Sequence, residues 1–481
     1  MVKGSNIISN IIWKFAERIL AQIVTLIVSI VLARILLPED YGAISMVMVF
    51  IAIANVFVVE GIPSALIQKK NADSLDFSSV FYFNLFVSIF IYVIVYISAP
   101  YIAIFYNNPV LEPVMKVLGI RLIVAAMNSV QHAYVSRNML FKKYFWSTLF
   151  GTILSGGVGI AMAYAGFGVW ALVAQYMVNT SVDTIVLFVT VNWRPKVEFN
   201  FTRVKVLFSF GWRMLFEGVS NAIGGQIRNL IIGKIYSSSD LAYYTKGQQF
   251  PSLIVSNITT SIGSVLFPAI ANEQEDSKHV LIILRKSVRF SSYVVYPMLM
   301  GLAITASTFI RLILTEKWMD TVPFLQVFCF LHAPTVGMIP RHQALNGTGR
   351  SDIFMNEHLI ARVISLVLLL LTYKISVLAI VMSSIVSTII LTFIIAYTSK
   401  TYNGYSYKDQ FSDIFPTVVG CIIMGVAVYP IKYIGFTDAV TLAAQVLCGI
   451  VIYIIYSIIL KLEEFSICKN YLQMLIRLKN N

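Results

Sequence analysis

Between positions 210 and 234 the chain runs FGWRMLFEGVSNAIGGQIRNLIIGK, an apolar stretch long enough to cross a bilayer that carries Arg213, Glu217, Asn221, Gln226 and Arg228. A guanidinium stays charged and donates paired hydrogen bonds, so the chemistry these residues offer is the binding of anionic oxygen groups. An arginine at the centre of a span costs roughly 2.5–3.5 kcal/mol on insertion scales, so it faces protein or water rather than lipid. At about 100° per residue, positions 213, 217, 221, 224 and 228 fall within roughly an 80° sector, with Gln226 outside it. The spacing predicts a helix lining a polar, cationic chamber. The competing account is internal neutralisation, because Arg213 and Glu217 stand at i, i+4.

A second stripe of this kind lies near the start of the chain, where Lys14, Arg18, Gln22, Thr25 and Ser29 share one face. Phe15-Ala16-Glu17-Arg18-Ile19-Leu20 matches Phe210-Gly211-Trp212-Arg213-Met214-Leu215, and LLPEDY (Leu36 to Tyr41) sits where YSSSDL (Tyr236 to Leu241) sits. The chain therefore reads as two related halves in the same orientation. Arg213 acquires a counterpart in Arg18. Arg228 has none, since its matched position is Ala33, and the expected chamber is asymmetric.

The elements that must position these residues are membrane helices. Of 481 residues, 58% are hydrophobic and only 12% charged, and the mean hydropathy is +0.79, the profile of an all-α polytopic membrane protein. Apolar runs between short polar breaks give about fourteen spans. The net charge of +13 does not indicate nucleic acid, because the basic residues are scattered through short loops. With the N-terminus cytoplasmic, the inside loops collect Lys69, Lys70, Arg137, Lys142, Lys143, Arg194, Lys196, Arg203 and Lys205 among others, which places both termini inside. The N-terminal run reads as an uncleaved first span. Cys329, Cys421, Cys448 and Cys468 show no ligand spacing and read as packing residues. The expected organisation is a six-helix lobe over 1–191, a cytoplasmic loop over 192–205, a second six-helix lobe over 206–400, and two further spans with a cytoplasmic tail over 401–481.

The order of LARILLPEDYG (Leu32 to Gly42), SRNMLFKKYF (Ser136 to Phe145) and LNGTGR (Leu345 to Arg350) resembles the Wzx-type polysaccharide and O-antigen flippases of the multidrug/oligosaccharidyl-lipid/polysaccharide exporter superfamily. The resemblance covers essentially the whole chain. It implies two six-helix lobes in a V-shaped arrangement with two extra C-terminal helices. It also implies movement of an undecaprenyl-pyrophosphate-linked oligosaccharide across the bacterial inner membrane by alternating access. The implied partners are that lipid-linked oligosaccharide, membrane lipid, a coupling ion (H+ or Na+), and polysaccharide polymerase and export machinery. No cofactor is implied.

Such a substrate presents a diphosphate, a glycan and an apolar tail, so its carrier needs cations and amides in a chamber open to lipid. Arg18, Arg213 and Arg228 are the first candidates, with Asn221, Gln22, Gln131 and Arg341 beside them. Asn128, Gln131 and His132 end the fourth span as Arg341, His342 and Gln343 end the tenth; solvated helix ends are the plainer account of both clusters. Glu357, His358 and Arg362 read as a helix-end ion pair. His332, His342 and His358 lack metal-ligand spacing. Ion coupling needs a carboxylate within the bundle, and Glu217, Asp183 and Glu60 are the candidates. Burial and a neighbouring arginine act on such a group in opposite senses. Gly61, Pro63, Pro251, Pro268, Pro297, Pro323, Pro334 and Pro340 mark places where spans would kink. The nearly uncharged last two spans fit either a guide for a prenyl tail or simple packing.

Two other functions compete. Efflux of small cations would want an acidic chamber, and the stripes are net basic. A glycan polymerase or ligase would want a sizeable outside loop, and the outside breaks are short. Walker, dinucleotide and nucleophile-elbow motifs do not occur.

Overall fold

A computed structural model describes residues 4–479, apart from the side chains at 4–12, 14–17, 210, 471, 472 and 474–479. The side chains of Lys14, Phe15, Ala16, Glu17 and Phe210, used above for the stripe and the repeat, lie outside the described set. Sixteen helices follow one another: α1 (Gly4–Ile35), α2 (Pro38–Val59), α3 (Ile62–Gln68), α4 (Ser74–Tyr106), α5 (Leu111–Arg137), α6 (Phe141–Tyr164), α7 (Val169–Thr190), α8 (Phe201–Ile235), α9 (Ser238–Asn272), α10 (Ser277–Leu314), α11 (Thr321–Gly347), α12 (Ser351–Thr372), α13 (Val377–Asn403), α14 (Tyr407–Val428), α15 (Asp438–Ile459) and α16 (Glu463–Lys479). Among the described residues there is no strand. Among the described residues thirteen stretches are long and apolar enough to cross a membrane, α2 and α3 counting as one. The 35-residue α8 is long enough too and falls short by its polar composition alone. These thirteen and α8 are the expected spans of a multi-pass membrane protein.

By packing, the chain divides into two compact units, Met1–Ala242 and Tyr243–Asn481. In the first, α1 packs on α6, α6 on α7, and α5 against α2, α4 and α7. In the second, α10 packs on α11, α14 and α15, and α13 receives α11 and α12. The sequence repeat begins the second half at 206, whereas α8 packs on α2, α3 and α4 of the first unit, so the two divisions differ by one helix. Part of the expected 192–205 loop is also fastened to the first unit. Trp193 stacks on Tyr134, and the amides of Lys196 and Asn200 donate to Ser78 and Ser79 at 3.1 and 3.0 Å.

The repeated motifs are helix-terminating devices. Asp40 accepts from the Leu37 amide and Asp240 from the Ser237 amide, each at 3.1 Å, so LLPEDY and YSSSDL start α2 and α9 through the same acidic cap. The ends of α5 and α11 also match. Met139 (φ 53°) and Gly349 (φ 75°) take the left-handed region, and the next amides, of Leu140 and Arg350, reach back to Val135 and Leu345 at 2.9 and 2.8 Å. The basic residues of SRNMLFKKYF close helix C-termini as well. Arg137 donates to the Leu66 and Lys70 carbonyls at 3.0 and 2.7 Å, and Lys143 to the Thr190 carbonyl.

Of the glycine and proline positions expected to interrupt spans, Gly61 and Pro63 coincide with a break. The chain is extended at Glu60 and takes φ +79° at Gly61 before Pro63 opens α3. Pro251, Pro268, Pro297, Pro334 and Pro340 lie inside continuous helices. The broken end needs a substitute partner in an apolar setting, and buried Asn84 of α4 supplies it, donating to the Val58 carbonyl at 2.6 Å and to Ser129 Oγ at 2.8 Å. Asn84→Leu is therefore expected to cost about 1–3 kcal/mol through an unsatisfied carbonyl. The readout is a lowered Tm of the purified protein in detergent; an unchanged Tm would mean that water serves the break equally well.

Candidate functional site

The α8 helix is seated by its glycines. A Cβ at Gly211 would stand 2.7 Å from the Gly61 carbonyl carbon, and one at Gly218 would stand 1.8 Å from Oε2 of Glu60. The glycine face is thus pressed on the α2–α3 break, and the polar stripe lies about 60–160° around the helix from it, Asn221 nearest and Arg213 farthest. Arg213, Glu217 and Asn221 are exposed, and Arg228 is half-buried. The Arg213 guanidinium lies 5.9 Å from the Trp212 ring centre. Among the described residues no carboxylate stands within ion-pair distance of Arg213, so neutralisation by Glu217 is not formed and the cation remains available. Gln226, off the stripe, accepts from Asn229 at 2.7 Å. Arg18 and Gln22 are half-buried on α1, a helix that rests on α6. Glu60 is exposed at the break, with its carboxylate against Gly218.

A separate polar cavity of about 400 Å3 lies within the first unit, lined by α2, α3, α5, α6 and α7. Asp183 of α7 is its acidic centre. Its Oδ2 accepts from Asn128 Nδ2 at 2.5 Å and stands 3.0 Å from His132 Nε2, while its Oδ1 is buried with no protein partner. Two side chains of the fourth-span cluster, Asn128 and His132, are thereby brought to a carboxylate 55 and 51 positions away. His132 Nδ1 and Asn128 Oδ1 are buried with no protein partner, which leaves hydrogen-bonding capacity inside the cavity for water or a small cation. Gln131, the third member of that cluster, is buried and turns away to donate to the Trp193 carbonyl at 3.3 Å.

Arg121 shares this cavity and sequence reasoning passed over it. Its Nε donates to Thr180 Oγ1 at 2.7 Å, and its guanidinium lies 5.6 Å from the Tyr176 ring centre. The signal was the one that singled out Arg213, a cation well inside an apolar helix. Asp183 and Arg121 set opposite charges along one polar cavity.

The second unit is different in kind. Arg341 is only 3% exposed, lies 5.7 Å from the Tyr405 ring, and borders an apolar cavity of about 510 Å3 between α10, α11, α13 and α14. A further apolar cavity of about 500 Å3 lies between α9, α10, α14 and α15. Glu357, read as a helix-end residue, is inside α12 and 2% exposed.

Residues 31–323 match the family described as polysaccharide biosynthesis protein. The chain is 24% identical over 302 residues to the teichuronic acid biosynthesis protein TuaB of Bacillus subtilis (strain 168), covering 62% of each chain. It is 24% identical over 326 residues to the lipopolysaccharide biosynthesis protein WzxC of Escherichia coli (strain K12), covering 67% of this chain and 66% of that one. The chain thus spans just under two thirds of the length of these relatives. In fold it is similar to the lipid II flippase MurJ in an inward closed conformation, with a TM-score of 0.76 at 15% identity over 94% of this chain and 98% of that one. An inward-facing multidrug resistance MATE family transporter of the MOP superfamily follows with a TM-score of 0.60 at 13% identity, over 80% of this chain and 94% of that one.

Proposed function

The chain belongs to the polysaccharide biosynthesis protein family, and from that premise we propose that it is a non-enzymatic flippase. It carries undecaprenyl-pyrophosphate-linked oligosaccharide repeat units across the bacterial inner membrane by alternating access, for surface polysaccharide synthesis. The observation that carries this reading is the accessible cationic stripe of α8, held outward by a glycine seat and left un-neutralised at Arg213. A diphosphate matches such a stripe because each guanidinium donates a planar pair of hydrogen bonds. In this reading Arg213 and Arg228 hold the diphosphate, Arg18, Asn221 and Gln22 contact the head group and glycan, and Arg341 meets an anionic group at the edge of its apolar cavity. Gln131, tied to Trp193, contributes by fixing α5. Asp183 binds the coupling ion, with Glu217 and Glu60 as further carboxylates within reach of water. Both termini are cytoplasmic, and polymerase and export machinery receive the product. Efflux of cationic drugs is disfavoured because the stripe carries two arginines against one glutamate.

The test is deletion of the gene followed by analysis of lipid-linked intermediates and surface polysaccharide. Completed repeat units should accumulate on the inner leaflet. Normal intermediates together with lost drug resistance would sink the reading. Within a complemented deletion strain, Arg213→Ala and Arg228→Ala should each reduce surface polysaccharide about ten- to a hundredfold at unchanged protein level, as expected for the loss of a charge-assisted contact of about 1.5–3 kcal/mol. Full activity in both removes them from substrate binding, and loss of folded protein assigns them to packing.

A further inference from the structure

The second unit holds a cluster that the flippase reading leaves unused. Glu357 of α12 is 2% exposed, and its Oε1 accepts from the Thr398 hydroxyl of α13. Its Oε2 stands 3.3 Å from His342 Nε2 of α11, yet the two are out of hydrogen-bond alignment and neither atom has another partner. His342 packs edge-on against Phe354, and the His358 ring lies 5.2 Å away. The charged and titratable groups around the carboxylate are few. The α11 helix presents His342 and α12 presents His358 and Arg362, while α13 offers the uncharged Thr398, its Lys400 being turned to the Tyr407 ring.

The internal repeat gives this cluster meaning. His342 stands 210 positions after His132, and both occupy the same place near the C-terminal ends of α11 and α5. Glu357 stands 210 positions after Ser147, a buried residue of α6. Each unit therefore sets an imidazole beside a carboxylate. The imidazole keeps its helix, while the acid comes from α7 in the first unit and from α12 in the second.

We propose that Glu357 and His342 form a proton-binding site of the second unit, distinct from the Asp183 cavity. A buried carboxylate facing an imidazole is stable with one proton shared between them, because the proton removes or pairs the charge that burial penalises. Either the carboxylate Oε2 or the imidazole Nε2 can carry that proton, so the pair can hold it from both sides. An alkali cation is the poorer fit, since it wants a shell of oxygens and here an imidazole closes one side. The inference does not rest on the transport assignment: proton binding at the pair is measurable whatever the chain carries.

The experiment is infrared difference spectroscopy of the full chain in lipid nanodiscs, titrated through the neutral range. The carbonyl band of a protonated carboxylic acid is expected to vary with pH, to vanish in Glu357→Gln, and to shift its midpoint by about one pH unit or more in His342→Gln. Where Glu357→Gln does not fold, His342→Gln and Thr398→Val read the same band. A band unchanged in Glu357→Gln overturns the proposal, as does a midpoint indifferent to both His342→Gln and Thr398→Val. A signal that follows sodium at fixed pH also overturns it.

Discussion

Under the proposed function, Asp183→Asn is expected to lower surface polysaccharide about a hundredfold while leaving folded protein in the membrane. The substitution keeps the size of the side chain and removes its charge. The wild-type carboxylate accepts from Asn128 at 2.5 Å and faces His132 at 3.0 Å, both through Oδ2, and its Oδ1 has no protein partner. An asparagine can keep its oxygen at the Oδ2 position, so what the substitution removes is the charge. Loss of a charge-assisted contact costs up to about 3 kcal/mol, which sets the size of the effect. The assay is complementation of the deletion strain by surface polysaccharide, with protein level measured alongside. Asp183→Glu, which keeps the charge on a longer stem, should retain more activity than Asp183→Asn. Wild-type translocation in Asp183→Asn would withdraw this residue from ion coupling, and the cavity would then be a packing feature of the first unit.

Gly42→Ala is expected to prevent accumulation of folded protein altogether. The added Cβ would stand 1.8 Å from the Ser238 carbonyl oxygen and 2.8 Å from the Ser238 Cα. Both obstacles are backbone, and Ser238 is held between Ser237, which forms the acidic cap of α9 with Asp240, and Asn108, which donates to the Ser238 hydroxyl at 3.5 Å. Overpacking costs about 1–3 kcal/mol where side chains can yield, and more where the backbone itself must move. Size-exclusion chromatography of the detergent-solubilised variant should show loss of the monodisperse peak. Ser238→Gly should fail to rescue it, because the clash is with main chain. A Gly42→Ala protein that elutes and melts like the parent would show that α2 stands farther from the start of α9 than these distances state.

Much of the transmembrane plan is legible in one sequence because lipid imposes a single demand on every span. The backbone must satisfy itself, so helices are obligatory and their lengths follow from apolar runs. The polar stripe of α8 was legible for the same reason, since a cation in an apolar helix stands out against its neighbours. Arg121 carries the same signal and shows how easily it is passed over when the surrounding residues form no stripe. The break at Gly61 was readable as an interruption. Its repair by Asn84 was not, because nothing local marks which amide will reach a freed carbonyl 26 positions away.

Composition and period alone determined that this is a helical membrane protein, that α8 gathers its polar residues on one stripe, and that basic loops flank the spans. Only the tertiary structure decided which polar residues meet. It joined Asp183 to Asn128 and His132, turned Gln131 away to Trp193, buried Glu357 against His342, and placed α8 with the first unit. The reason is physical. Helix periodicity fixes the direction of a side chain relative to its own axis, whereas its partner is set by which helices pack together, and in a bundle of uniformly apolar spans that choice is made by small residues such as Gly211 and Gly218.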